Sequence, residues 1–220
     1  MDKKLLIFDL DGTLSDTQPI LYTIVLESLR AQGIKLDSIA EVYDSIEAHG
    51  KEIIEQKALI PSEFLPCVDR EKYATDFWKN YELLCMGATE RVFDGMREAL
   101  CELKARGYAL AVLSNKKNKF VQPIIAETFG AGFFDYVCGW DEIRPKKPDP
   151  TSLLAMLDEL GIERENTWMI GDLPADYSVS VNAGVKHVIA DWGYGEKKKF
   201  KKLGATVFAK KPPDLLDILR

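Results

Sequence analysis

No Cys-x-x-Cys pair occurs among the four cysteines, Cys67, Cys85, Cys101 and Cys138, and the chain has only two histidines. That excludes a zinc ribbon and argues against a disulfide framework. No apolar run reaches the roughly 20 residues of a membrane span. The opening Met1-Asp2-Lys3-Lys4 leads into a short apolar stretch broken by Asp9 and Asp11, too short and too acidic for a signal peptide. The expected address is the reducing cytoplasm, with no membrane partner. A basic excess is also missing: 29 Lys+Arg against 35 Asp+Glu gives a net charge of −6, which argues against nucleic acid as the main partner. There is no Gly-x-x-x-x-Gly-Lys-[Ser/Thr] and no Gly-x-Gly-x-x-Gly after the first apolar run, so neither a P-loop nor a dinucleotide fingerprint is present. Repeats and low-complexity tracts are absent.

The residues that are there read as an ordinary globular protein, 46% hydrophobic and 29% charged over 220 residues. Leu5-Leu6-Ile7-Phe8 is a continuous apolar run that suits a strand buried on both faces, and Asp11-Gly12 is a turn signal. From Thr17 to about Met86 the apolar residues recur at helical spacing, with helices expected around 39–46, 51–59 and 71–84 and no strand. After Gly87 the pattern alternates. Strands are expected at 109–113, 136–138, 167–170, 187–190 and 206–208. Helices are expected at 96–106, 118–129, 151–160, 175–183, near 197–202 and at 214–219. This is the pattern of an α/β, doubly wound parallel sheet, Rossmann-like in organisation, built from residues 1–15 and 88–220, with an all-α domain inserted over 16–87. The Lys197–Lys202 run reads as a solvated helix face.

Ligands of open parallel sheets bind at the carboxyl ends of the strands. The polar residues that follow the strands are Asp9 and Asp11, then Ser114 and Asn115, then Lys147, then Asp172 and Asp176. Four carboxylates and one lysine leave a cluster of −3 that calls for a cation. Oxygen ligands without His or Cys select a hard one, Mg²⁺. A lysine, a hydroxyl and backbone amides remain to receive a phosphate. The Lys-Pro pairing favours Lys147 over Lys146. Asp16 and Asp149 read as helix caps.

Asp9-Leu10-Asp11-Gly12-Thr13, Leu113-Ser114-Asn115-Lys116, Lys147-Pro148 and Gly171-Asp172-x-x-x-Asp176 together resemble the four ordered motifs of the haloacid dehalogenase (HAD) superfamily. The inserted helices resemble its small α-helical cap. Asn182-Ala183-Gly184-Val185 with Trp192-Gly193-Tyr194-Gly195 is similar to the phosphoglycolate phosphatase-like subgroup. The resemblance implies a Mg²⁺-dependent phosphatase acting on a small phosphorylated metabolite through an aspartyl-phosphate. Asp9 is then the nucleophile and a metal ligand. Asp11 is the general acid and base, its backbone carbonyl facing the metal. Asp172 is a direct metal ligand, and Asp176 holds a metal-bound water or orients Lys147. Ser114, Asn115 and Lys147 bind phosphate. His49 and Lys51 are the expected substrate-selecting cap residues, beside Glu47, Gly50 and Arg91, and Lys51 or Lys116 is the candidate cation for a substrate carboxylate. The stretch Glu47–Glu52 departs from the phosphoglycolate phosphatase pattern. Nucleotidase or inorganic pyrophosphatase activity fits the same core. A sugar phosphomutase fits less well, for no His stands about a dozen residues after Asp9. A monomer or homodimer is expected.

Overall fold

A computed structural model of the chain describes residues 3–49, 51–54, 58–85 and 91–220. Its elements run β1 (Lys4–Phe8), β2 (Ser15–Asp16), α1 (Gln18–Ala31), α2 (Ile39–His49), β3 (Lys51–Ile53), β4 (Leu59–Pro61), α3 (Arg70–Cys85), β5 (Arg91–Val92) and α4 (Met96–Ala105). There follow β6 (Tyr108–Lys117), α5 (Asn118–Phe129), β7 (Tyr136–Trp140), α6 (Thr151–Leu160), β8 (Thr167–Gly171), α7 (Pro174–Ala183), β9 (Lys186–Ala190), α8 (Lys197–Leu203), β10 (Phe208–Ala209) and α9 (Leu215–Ile218). Two compact units result, Met1–Asp16 with Thr89–Arg220, and Thr17–Ala88. The junction expected at 87/88 lies outside the described residues, as does Gly50.

In the larger unit, six parallel strands are ordered β10-β9-β8-β1-β6-β7. β1 is central, its Leu5 opposite Ala109 of β6 and Thr167 of β8. That position explains the unbroken apolar run: alternate residues face opposite layers of helices, and both layers are dry. Leu5 and Ile7 pack with Ala111, Leu113 and Met169 against Leu153 and Met156 of α6 and Val179 of α7. Leu6 and Phe8, fully buried, project to the other face. The chain leaves β1 towards β6 and β7, then returns to β8 on the other side of β1. The carboxyl end of β1 therefore lies where the winding reverses, the place such sheets reserve for ligands. β6 runs on to Lys117, past the expected end at Leu113, with a register irregularity against β7 between Ser114 and Lys117. β10 comes two residues later than expected, at Phe208–Ala209.

The smaller unit packs α1, α2 and α3 around Ile24, Val25, Leu29, Val42, Tyr73 and Phe77. It is not helical throughout, as the sequence pattern suggested. Lys51–Ile53 and Leu59–Pro61 form a short antiparallel pair, with Glu52 opposite Ile60, where a helix over 51–59 was expected. The Tyr73 side chain reaches from α3 to this pair, its hydroxyl donating to the Leu59 carbonyl at 2.7 Å in a fully buried setting. Burial pushes the Tyr73 phenol pKa up.

The Tyr73→Phe variant should therefore lose about 1 kcal/mol of stability, the usual net value of a buried hydrogen bond whose acceptor loses its donor. Urea denaturation measures this. A variant as stable as the parent would show that the bond does not anchor β4.

Candidate active site

Asp9 follows β1 directly. Its amide donates to the Ile170 carbonyl of β8 at 2.9 Å, extending the strand pairing by one residue and fixing the backbone that carries the carboxylate. The side chain is buried, and its Oδ1 accepts from the Leu10 amide at 2.7 Å. Lys147 meets it there. The Lys147 Nζ lies 2.8 Å from Asp9 Oδ1 and 2.7 Å from Asp176 Oδ1, and donates to the Leu113 carbonyl at 2.8 Å. The ammonium thus pairs with two buried carboxylates and hydrogen-bonds one carbonyl. One lysine thus ties together the chain following β1, the end of β6 and the first turn of α7.

Asn115 sets this lysine in place. Its Oδ1 accepts from the Lys147 amide at 2.7 Å, and its Nδ2 donates to the Lys147 carbonyl at 3.1 Å. Lys146 points elsewhere, its Nζ 4.1 Å from the centre of the Trp140 ring. Asp172, fully buried, accepts from Thr13 Oγ1 at 2.9 Å and from the Tyr194 amide at 2.9 Å. Asp176 Oδ2 accepts from the Leu173 amide at 2.8 Å, which holds the first turn of α7. Asp9, Asp172 and Asp176 each offer an oxygen, all within 4.8 Å of one another. Ser114, buried at the end of β6, accepts from the Lys116 amide at 3.1 Å. The Asp11 carboxylate stands apart from the three: its Oδ1 pairs with Lys116 Nζ at 2.8 Å.

The sequence profile of the haloacid dehalogenase-like hydrolases matches residues 6–190. The phosphoglycolate phosphatase of Pseudomonas fluorescens (strain Pf0-1) is 30% identical, covering 99% of this chain and 77% of that protein. The phosphoglycolate phosphatase of Aquifex aeolicus (strain VF5) is 31% identical over 87% of this chain and 86% of that protein. The fold matches a haloacid dehalogenase-like family hydrolase from Streptococcus pneumoniae with a TM-score of 0.77, at 19% identity and 99% coverage of both chains. The chain belongs to the haloacid dehalogenase-like hydrolase family. Within it the sequence is phosphoglycolate phosphatase-like, and the protein is a phosphoric monoester hydrolase.

The electrostatics of this hydrolase's site follow from burying three acids with one base. Burial, opposed by Lys147 and reinforced by Asp176, Asp172 and Asp11, holds the Asp9 carboxyl well above the ordinary range. Burial and then Asp176 push Asp172 up to about 7, against hydrogen bonds from Tyr194 and Thr13. Lys147 loses solvation, yet Asp176 and Asp9 outweigh that loss and keep its pKa raised. Fully ionised, the three acids would carry more negative charge than one lysine cancels. An all-oxygen donor set of this kind fits a hard divalent cation, held by Asp9, Asp172 and Asp176.

Several contributors had no role in the sequence reading. Thr13 holds Asp172 from the β1 side. Trp192 Nε1 donates to the Thr13 carbonyl at 3.0 Å, and the Tyr194 hydroxyl donates to Asp16 Oδ1 at 2.9 Å. A Cβ on Gly193 would lie 2.3 Å from the Asp172 Cβ and 2.4 Å from the Gly12 carbonyl, so only glycine lets this loop close over the cluster. Gly12 itself takes φ +82, the left-handed turn that reverses the chain after Asp11. Lys116, read from the sequence as a candidate cation for a substrate carboxylate, pairs with Asp11. The Trp192–Gly195 pattern marked the loop, but nothing local showed where it docks. Asp149 accepts from the Thr151 amide at 2.9 Å at the start of α6, as a capping residue would.

His49 and Lys51 lie in the smaller unit, not in the unit that carries Asp9. Both are exposed. His49 closes α2 with its Nδ1 3.3 Å from Glu63 Oε2, and Lys51 opens β3. Glu47 accepts from the Tyr43 hydroxyl at 2.7 Å. Arg91 stands opposite Asp16 in the β2–β5 pair of the larger unit.

The raised pKa of Asp172 has a measurable sign. A carboxyl that ionises at about 7 when folded, against an ordinary 3.8, binds a proton on folding. Its contribution to stability is complete below about pH 4 and is lost as pH rises through 7. Cation binding needs the ionised form, so a divalent cation should raise the Tm far more at pH 7.5 than at pH 5, and the increment should shrink in Asp172→Asn. A cation-induced shift independent of pH and of Asp172 would show that the ion binds elsewhere.

Proposed function

We propose that the protein hydrolyses a small phosphomonoester, phosphoglycolate or a compound close to it, with Mg²⁺ as the cation and an aspartyl-phosphate on Asp9 as the intermediate. The observation that carries this reading is the seat of Asp9. It is a buried carboxylate at the carboxyl end of the central strand, held by Lys147 and grouped with Asp172 and Asp176. Mg²⁺ bound to those three residues supplies charge neutralisation for an incoming phosphate. It is preferred to Ca²⁺ because the donor set is small and compact. The names of the two relatives support phosphoglycolate as the substrate to test first.

In the first step an Asp9 oxygen bonds to phosphorus as the ester P–O bond breaks, and the leaving oxygen takes the proton of Asp11. Asp11 is then a carboxylate. In the second step it removes a proton from water, whose oxygen bonds to phosphorus as the bond to Asp9 breaks. Lys147, fixed by Asn115, holds positive charge beside the phosphoryl oxygens throughout. Ser114 and the Asn115 amide bind the remaining oxygens. Residues 17–88 act as a cap that restricts the reaction to small molecules, with His49 and Lys51 as its candidate selecting residues. No described helix is long and apolar enough to cross a membrane, and we place the reaction in the cytoplasm.

Asp9→Asn should abolish turnover of every ester, read with a panel of phosphoglycolate, nucleoside monophosphates, pyrophosphate and p-nitrophenyl phosphate. Asp11→Asn should lower turnover of alkyl esters by about 10²–10⁴-fold, the range for loss of a general acid or base. Towards p-nitrophenyl phosphate, whose leaving group needs no proton, it should release a burst of one nitrophenol per enzyme with phosphate left on Asp9. A burst-free Asp11→Asn as inactive as Asp9→Asn would show that Asp11 is structural.

A further inference from the structure

We propose that Lys116 is the positioning residue for Asp11: its ammonium holds the Asp11 carboxylate out of the cation cluster and in the place where it exchanges protons with the leaving group and with water. The inference rests on the reading of Asp11 as general acid and base, and adds what keeps it in that role.

Four carboxylates leave the ends of β1 and β8, yet only three converge. Asp9, Asp172 and Asp176 gather, and the fourth is turned aside. Asp11 lies past the end of β1, in the turn that leads to Gly12, where it bridges Ser15. A counter-ion meets it there. Lys116 Nζ lies 2.8 Å from Asp11 Oδ1, and the Lys116 side chain is only 5% exposed while that of Asp11 is 32% exposed. The lysine is thus fixed by its surroundings, and the acid keeps one side open to a substrate.

The backbone is shaped to deliver this lysine. β6 follows β7 in register to Ser114 opposite Gly139 and then shifts before Lys117 pairs with Trp140. Irregularities of this kind re-aim a side chain. The Ser114 hydroxyl accepts the Lys116 amide at 3.1 Å, which secures the shifted segment. A Cβ on Gly139 would fall 2.7 Å from the Lys116 carbonyl, so β7 also leaves room for it. The same strand end therefore presents Ser114 towards phosphate and Lys116 towards the acid.

The proposal assigns no contact between Lys116 and the substrate. It predicts a dependence through Asp11. The test is a double-mutant cycle on the full chain with an alkyl phosphate, in saturating Mg²⁺. Lys116→Met should lower kcat by roughly 10- to 100-fold with KM little changed, the scale of an ångström-sized displacement of a catalytic group. In an Asp11→Asn background the same change should cost about 3-fold or less, because the group it positions is already gone. The Mg²⁺-induced rise in Tm should persist in Lys116→Met, which shows both folding and an intact cluster. If Lys116→Met does not fold, the cycle is run with Lys116→Arg. That variant keeps the charge but displaces it, and it should show the same loss with Asp11 present and little without it. Equal losses in the two backgrounds would overturn the proposal in favour of an independent role. A rise in KM at constant kcat would overturn it in favour of a substrate contact. Failure of the parent reading is distinguishable, for it would appear as an active Asp9→Asn, whatever Lys116 does.

Discussion

The ammonium of Lys147 is the constraint on which the site depends. It is nearly inaccessible to solvent, forms ion pairs with Asp9 and Asp176, and donates to the Leu113 carbonyl. Removing it would leave two carboxylates buried side by side with no compensating charge, a cost of several kcal/mol per ion even after relaxation. It would also leave the Leu113 carbonyl without that donor. Asn115 grips the Lys147 backbone on both sides, so the lysine arrives pre-placed. The chain following β1, the end of β6 and the first turn of α7 are joined by this one charge. All three carry residues to which we assign roles in the proposed reaction.

The lysine does not finish the charge balance, and the remainder gives the site its function. Asp172 rises to about 7, and Asp9 lies well above its ordinary value, because burial and mutual repulsion exceed what a single cation offsets. In the reaction we propose, a hard divalent ion held by Asp9, Asp172 and Asp176 would supply the missing positive charge, and Asp9 would serve as the nucleophile. Around this core the loop Trp192–Gly195 acts as a clasp. It reaches Thr13, Asp172 and Asp16 through one indole, one amide and one phenol. The fourth acid pairs with Lys116, and on our proposal the two lysines divide the work: one gathers the cluster, and the other keeps a carboxylate out of it.

Much of this was legible in the chain. The apolar run before Asp9 marked the central strand because both faces of β1 are dry. The polar residues after β1, β6 and β8 converge because those strands are neighbours in a parallel sheet. Asn118–Phe129 and Thr151–Leu160 have the bounds that their periodicity and flanking residues suggest. The β3–β4 pair was not legible. Strands of three residues are too short to show alternation, and Leu59-Ile60 before Pro61 reads equally well as a helix end. The Lys116–Asp11 pair and the Trp192–Gly195 clasp join segments far apart in the chain, and no local pattern encodes a partner at that separation. Asn115 was expected at phosphate through its amide. Its side chain was not expected to brace the Lys147 backbone, since that depends on how two loops meet.

The stereochemical course at phosphorus tests the central claim most directly, because it asks whether an enzyme carboxylate takes the phosphoryl group before water does. A chiral, oxygen-labelled phosphorothioate monoester is hydrolysed in labelled water, and the configuration of the thiophosphate product is determined. Two in-line displacements, first by Asp9 and then by water, predict overall retention. Inversion would mean a single direct attack by water and would contradict the account.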